Sequence, residues 1–317
     1  MNRLFLFFFI FFLSLLIEKL WIRKSCEMDM SQVQKNYGPQ SHILTKSKTP
    51  SMGGLMFLAV SFLCLFLFPL SNAGTWHESF VFWILPWGAA LIGFIDDWIK
   101  YKKHSSEGLP SLGKLVAQIL LALPWAFWVG WYKGIYLWPN MELSLWLGVP
   151  LLAFIAIGML NAVNVTDGLD GLAAGSVILS LVAFLVWLPA ATYVRSGGIV
   201  TLAMCLAFLW YNSHPAAVFM GDVGSHFLAG VLISLCALSG FLMAVIPLGF
   251  IFGVEILTVS IQLIAIHKFK RKVFKMSPLH HHFELTGWSE DQIVTRFLIL
   301  HGLGAIVCIF FLMSWWA

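Results

Sequence analysis

Five aspartates, Asp96, Asp97, Asp167, Asp170 and Asp222, stand out in a chain that is otherwise overwhelmingly apolar. Carboxylates beside hydrocarbon are costly to keep charged, so they are retained where they bind ions, pair with cations or do chemistry. Asp96 and Asp97 are adjacent and repel each other unless a cation or metal neutralises them. Such a pair supplies a candidate general base or a candidate Mg²⁺ ligand. Asn161, Asn164, Asp167 and Asp170 recur every three residues and share a face on any helical turn, with Gly168 and Gly171 allowing close backbone approach. An Asx turn would use such residues, but four of them with two glycines exceed what a turn needs. Oxygen-rich sets of this kind suit a hard cation whose other positions go to water and substrate phosphate.

Asp222, in Phe219-Met220-Gly221-Asp222, is placed either to cap the following helix or to present metal and phosphate together at its start. Phe219 is placed either to stack on a flat ligand or to sit at the membrane interface. His280, His281 and His282 are consecutive, a poor spacing for zinc. One or two of them are better suited to a phosphate or sugar. Lys46 and Lys48 before the second apolar run, Lys100 after the paired aspartates, and Lys114 with Gln118 one turn on could offset a pyrophosphate's charge.

The elements that must position these residues are membrane spans. The 317 residues are 60% hydrophobic and 11% charged, with a mean hydropathy of +0.86. That composition excludes a soluble globular domain, and no nucleic-acid partner is expected. Apolar runs of the length a ~30 Å hydrocarbon core requires predict ten transmembrane helices. They fall near 3–22, 52–70, 79–98, 114–131, 143–160, 171–190, 198–213, 224–239, 240–267 and 293–316. The run 224–267 is divided at Ser239-Gly240, and Pro247 should kink the helix that follows.

Of 19 Lys and Arg, 16 lie in or beside the loops after spans one, three and nine, against Arg3, Lys133 and Arg195 on the other side. The expectation is an all-α integral membrane protein, a single polytopic domain over 1–317, with both termini on the outer side. Its cytoplasmic loops would be 23–51, 96–113, 161–170, 214–223 and 268–292, which contain all five aspartates. The first span reads as an anchor, since it lacks a basic leading segment and a small-residue cleavage site. The five cysteines have no metal-binding spacing and read as small core residues.

Taken in order on this frame, the motifs resemble the polyprenyl-phosphate N-acetylhexosamine-1-phosphate transferases. The paired aspartates, the Asn161–Gly171 run and the Phe219–Asp222 run each match a segment of that family. Pro278-Leu279-His280-His281-His282-Phe283-Glu284 is similar to its muramoyl-pentapeptide branch. The resemblance implies transfer of phospho-MurNAc-pentapeptide from a UDP carrier to undecaprenyl phosphate, with Mg²⁺, in the membrane of a bacterial cell. It implies Asp222 as metal ligand, with Asp96 or Asp97 possible, and Asp96 or Asp97 acting on the lipid phosphate. Lys46, Lys100, Lys114, Asn161, Asn164, Asp167, His280, His281 and Gln262 would line the cleft. Phe219 would stack on uracil, with Asn212 and Asp170 nearby, and a homodimer is implied. Lys48 stands where the family has Gly, Ser51 where it has a second Thr, and Leu112 where a basic residue is expected.

Two other functions compete. A GlcNAc-1-phosphate transferase would share the fold but not the histidine run. A secondary transporter for an anionic solute would place ionisable groups near mid-bilayer, where Glu255 and Gln262 are the main candidates.

Overall fold

In the computed structural model, which describes residues 3–31, 49–70 and 73–314, the chain is a bundle of helices. They are α1 (Arg3–Glu27), α2 (Leu55–Leu70), α3 (Trp76–Lys103), α4 (Ser111–Lys133), α5 (Leu145–Thr166), α6 (Leu172–Trp187), α7 (Thr192–Asn212) and α8 (Gly221–Ser239). A 3₁₀ turn at Leu242–Ala244 leads to α9 (Val245–Leu248), α10 (Phe250–Phe269), the short α11 (Leu279–Glu284) and α12 (Glu290–Ser314). A two-stranded antiparallel ribbon, β1 (Ile135–Tyr136) with β2 (Glu142–Leu143), closes the α4–α5 connection.

Eight of these helices are long and apolar enough to cross a membrane. The apolar α2 and α6 have 16 residues each, about 24 Å of helix, somewhat less than a ~30 Å core.

Helix ends differ from the hydropathy boundaries in a way that matters for the site. Asp96 and Asp97 are not in a loop: α3 runs on to Lys103, from a Thr75–Glu78 capping box at its other end. Asn161 and Asn164 are likewise helical, because α5 continues to Thr166, and Asp222 is the second residue of α8. Only Asp167, which ends α5, and Asp170 lie outside regular helix. Apolarity marks where a helix meets lipid, while backbone hydrogen bonding carries it beyond.

The expected Pro247 kink is a full break, centred on Gly249 between α9 and α10. The backbone groups it frees find buried partners. Ser180 Oγ donates to the Leu248 carbonyl (2.6 Å), and Ile251 N–H donates to His301 Nδ1 (3.3 Å). A broken helix inside an apolar bundle is stable only with such replacements.

The bundle is organised around α8, whose apolar window is 94% buried, against 22% for the outer helices α1 and α12. Between helices in lipid there is little hydrophobic drive, so close packing of small residues holds them together. Gly230 of α8 faces the Pro86 backbone of α3, and Gly93 of α3 faces the Asp222 carbonyl. Gly54, just before α2, lies against Gly224. Each contact brings backbones nearer than a Cβ would allow. Cys64, Cys205 and Cys236 are buried small residues as expected, whereas Cys26 is exposed.

Candidate active site

Four helix ends deliver the polar cluster. From α3 come Asp96, Asp97 and Lys100, from α4 Lys114 and Gln118, from α5 Asn161 and Asn164, and from α8 Asp222, Ser225 and His226. Helical spacing puts Asp96 and Lys100 one turn apart, and Lys114 and Gln118 likewise. Oxygens of Asp96, Asp97 and Asp222 lie within 4.8 Å of one another.

Lys100 Nζ sits among the three carboxylates, 2.6 Å from Asp96 Oδ2, 3.1 Å from Asp222 Oδ2 and 3.6 Å from Asp97 Oδ1. Lys114 Nζ is 2.6 Å from Asp222 Oδ2 and 4.0 Å from Asp96 Oδ1. Asp96 and Asp97 are only 3% and 6% exposed, so these charges act on one another through little water.

Backbone donors aim the carboxylates. Leu109 N–H donates to Asp96 Oδ1 (2.9 Å), and Val223 N–H to Asp97 Oδ2 (3.0 Å). Asn164 Nδ2 donates to Asp222 Oδ1 (2.9 Å) and to Ser225 Oγ (3.0 Å). Asp222 therefore does not cap its own helix; α8 has no side-chain cap, and the carboxylate turns to α5 and the lysines. Gly221, at φ +73°, makes the turn that a Cβ would block against Asp97 Oδ2.

Behind the carboxylates runs a chain of amides. Asn161 Nδ2 donates to Gln118 Oε1 (2.9 Å), Gln118 Nε2 to His226 Nε2 (3.3 Å), and His226 Nδ1–H to the Asp222 carbonyl (2.9 Å). Asn161 thus supports the cluster through two intermediaries. His226 was readable as Asp222 plus four, but sequence alone did not single it out.

A second cluster follows the end of α5. Asp170 Oδ2 accepts from His214 Nδ1 (2.9 Å) and Ala216 N–H (3.1 Å), and Glu290 Oε1 accepts from Asp170 N–H (2.7 Å). Asn212 Oδ1 accepts from Gly171 N–H (3.0 Å), while its Nδ2 donates to the Val218 carbonyl (2.8 Å). Asp170 and Asn212 together fix the 213–218 loop leading to Phe219. Phe219 in turn pairs through its backbone with Pro50 and Gly53. His214 and Glu290 went unnoticed in the sequence because their partners are 44 and 120 residues away.

The histidine run forms α11, packed against α10. His280 is buried, and His281 Nδ1 lies 2.5 Å from Glu284 Oε2. Gln262 Oε1 accepts from Val273 and Phe274 N–H (both 3.0 Å), pinning the segment that leads to α11. Asp167 is partly buried at the end of α5, one residue before the glycine that faces His280. Lys46 lies outside the described residues.

Comparison with known proteins finds relatives over nearly the whole chain. Residues 79–241 match the model described as glycosyl transferase family 4, and 46–58 match phospho-N-acetylmuramoyl-pentapeptide-transferase signature 1. Phospho-N-acetylmuramoyl-pentapeptide-transferase of Oceanobacillus iheyensis is 36% identical over 310 residues, covering 95% of this chain and 94% of the relative. The protein of that name from Thermoanaerobacter sp. strain X514 is 36% identical over 92% of both chains, and that from Bacillus velezensis 35% identical over 94% and 95%. The chain belongs to the phospho-N-acetylmuramoyl-pentapeptide transferases.

In this member of the family, the 79–241 match takes in the whole carboxylate cluster, while α11 lies beyond it. The donor set fits a hard divalent cation. Its ligand atoms are all carboxylate oxygens, three carboxylates gathered at one point beside two lysines.

Proposed function

We propose that the protein transfers phospho-MurNAc-pentapeptide from UDP-MurNAc-pentapeptide to undecaprenyl phosphate, giving lipid I and UMP, in peptidoglycan synthesis. A phosphate oxygen of the lipid forms a bond to the sugar-linked phosphorus of the donor. The bond from that phosphorus to the bridging oxygen breaks, and its electron pair leaves with UMP.

Two anions must be brought into contact for this, and Lys100 and Lys114 are the groups that can screen their repulsion. In the structure both lysines rest on Asp222, an arrangement that would exchange for phosphate and metal when substrates bind. Asp222, with Asp96 or Asp97, would hold Mg²⁺. The ion would add positive charge at the pyrophosphate. The remaining carboxylate of the pair is placed to act on the attacking lipid phosphate. Asn164 fixes Asp222, and Asn161 supports it through Gln118 and His226. Asp167, His280 and His281 line the donor side, with Gln262 holding the approach to α11. Phe219 takes the uracil, on a loop set by Asp170 and Asn212, and Lys46 contributes from the segment before α2.

Ten spans, with α2 and α6 completing the eight long ones, would put both termini outside and the cluster at the cytoplasmic surface. The distribution of 16 Lys and Arg against three supports that orientation. A water-soluble nucleotide and a membrane-bound phosphate can meet only at such an interface. The whole chain forms one catalytic domain, working as a homodimer in the bacterial cell membrane.

The observation that carries the reading is the meeting of Asp96, Asp97 and Asp222 around Lys100 at one set of helix ends, in a chain that matches these transferases over nearly its full length. The transporter alternative loses both its main candidates, since Glu255 is taken up by the first turn of α11 and Gln262 by Val273 and Phe274. The test is UMP release by detergent-purified protein with undecaprenyl phosphate and Mg²⁺. Release from UDP-MurNAc-pentapeptide and not from UDP-GlcNAc is expected; release from UDP-GlcNAc alone would move the protein to the sister branch.

A further inference from the structure

Glu255 is fully buried on α10, fourteen residues before that helix ends at Phe269, or about 21 Å along the axis. A carboxylate so placed is costly unless its hydrogen bonds are made. Its partners all come from the start of α11: Leu279 N–H donates to Oε2 (2.6 Å), while His280 N–H (3.2 Å) and His280 Nδ1 (3.1 Å) reach Oε1. The histidine run is therefore drawn back along α10 to that helix's second turn, not solvated beyond its end. Two backbone donors would suffice to anchor a helix. The third contact, to the imidazole, does something else: it keeps the proton on Nδ1 and fixes the ring plane.

The other ring nitrogen is bare. His280 is fully buried, yet among the described residues its Nε2 has no hydrogen-bond partner. It faces Gly168, whose Cβ, if present, would lie 2.4 Å from it. Gly168 is not among the glycines with positive φ, so its backbone does not demand glycine; the close approach of Nε2 does. Gly168 lies one helical turn beyond Asn164, the residue that holds Asp222. The unpartnered, buried nitrogen thus lies against the segment that also braces the carboxylate cluster.

We propose that Glu255 is a positioning residue for the transfer, holding His280 in the tautomer and orientation that set Nε2 beside Gly168, at the donor-substrate side of that segment. This rests on the reading of His280 as a substrate contact. The arrangement is a carboxylate–histidine pair in which the carboxylate never meets substrate, and loss of such orienting partners typically lowers activity 10–100-fold.

The test is a cycle of Glu255→Gln, His280→Ala and the double variant, assayed by UMP release with UDP-MurNAc-pentapeptide and undecaprenyl phosphate. Glu255→Gln keeps the side-chain shape but cannot accept all three donors. In the wild-type background it should lower kcat roughly 10–100-fold, with KM for undecaprenyl phosphate unchanged. In the His280→Ala background it should change kcat less than twofold, because two residues acting as one unit are not additive. Gly168→Ala, whose methyl would press on Nε2 and turn the ring without touching Glu255, should reproduce the loss.

Equal losses in both backgrounds would overturn the inference, as would a Glu255→Gln or Gly168→Ala enzyme with wild-type kcat. Wild-type turnover by His280→Ala would instead remove the role of His280 itself, and the inference with it. Loss of turnover in the single variants with no coupling between them would mark Glu255 as a structural anchor only.

Discussion

Gly93→Ala tests whether the α3–α8 contact sets the catalytic geometry. Gly93 lies one turn before the paired aspartates, and its Cβ would fall 2.2 Å from the Asp222 carbonyl oxygen and 2.6 Å from Val223 N. Both obstacles are backbone, so no rotamer change relieves them. Restoring an ordinary 3.4 Å contact requires the helices to part locally by about 1.2 Å. The movement acts on the bonds that cross this seam. Val223 N–H to Asp97 Oδ2, now 3.0 Å, and Lys100 Nζ to Asp222 Oδ2, now 3.1 Å, would both stretch beyond hydrogen-bond range.

Overpacking of this kind costs about 1–3 kcal/mol of stability, which a bundle of this size survives. A ~1 Å misplacement of reacting groups, by contrast, costs roughly 100-fold in rate. The expected variant inserts, purifies and melts cooperatively, yet turns over about 100-fold more slowly in UMP release. Gly158→Ala on α5, where a Cβ meets nothing within 4 Å, is the matched control and should stay near wild type. Gly93→Ala with activity within twofold of wild type would refute the claim that this backbone contact sets the site.

Asp97→Asn should cut turnover far more than it weakens binding of the UDP donor, measured by titration calorimetry; equal losses would make Asp97 a substrate contact. Asp222→Ala should abolish turnover in protein that is still inserted, and activity near wild type would remove Asp222 as the metal residue. Chelation should stop UMP release and added Mg²⁺ restore it, so indifference to chelator would sink the metal assignment. Asn164→Ala leaves Asp222 Oδ1 without its amide donor and should lower kcat roughly 10–100-fold; an unchanged kcat would show that the lysines alone position Asp222.

Much of this was legible in the sequence because membrane helices announce themselves. The apolar runs located the helices, and the five aspartates marked the polar end. What hydropathy does not show is where a helix stops. α5 continues through Asn161, Asn164 and Thr166, and Thr166 returns its hydroxyl to the Ala162 carbonyl (2.8 Å). The polar residues are therefore held on a rigid turn, not a loop. That the kink expected at Pro247 becomes a full break at Gly249 was not legible, for a different reason. Its stability depends on Ser180 and His301, which reach it from 68 and 50 residues away.

The segment 161–171 shows how far composition alone can carry such an argument. Its amides, carboxylates and glycines at threefold spacing announced a site, but gave no means of dividing the labour. In the structure each residue meets a different helix. Asn161 reaches Gln118 on α4 and Asn164 reaches Asp222 on α8, while Gly168 faces His280 on α11. Asp170 holds His214 after α7, and its N–H is held by Glu290 of α12. The helical 100° turn per residue aims Asn161 and Asn164 at neighbouring helices, and beyond Thr166 the chain leaves the helix, which turns Gly168 and Asp170 toward other partners. One strip of chain can then brace the carboxylates, face the histidine and set the loop before Phe219. Any change that unwinds the last turn of α5 should accordingly damage all three regions together.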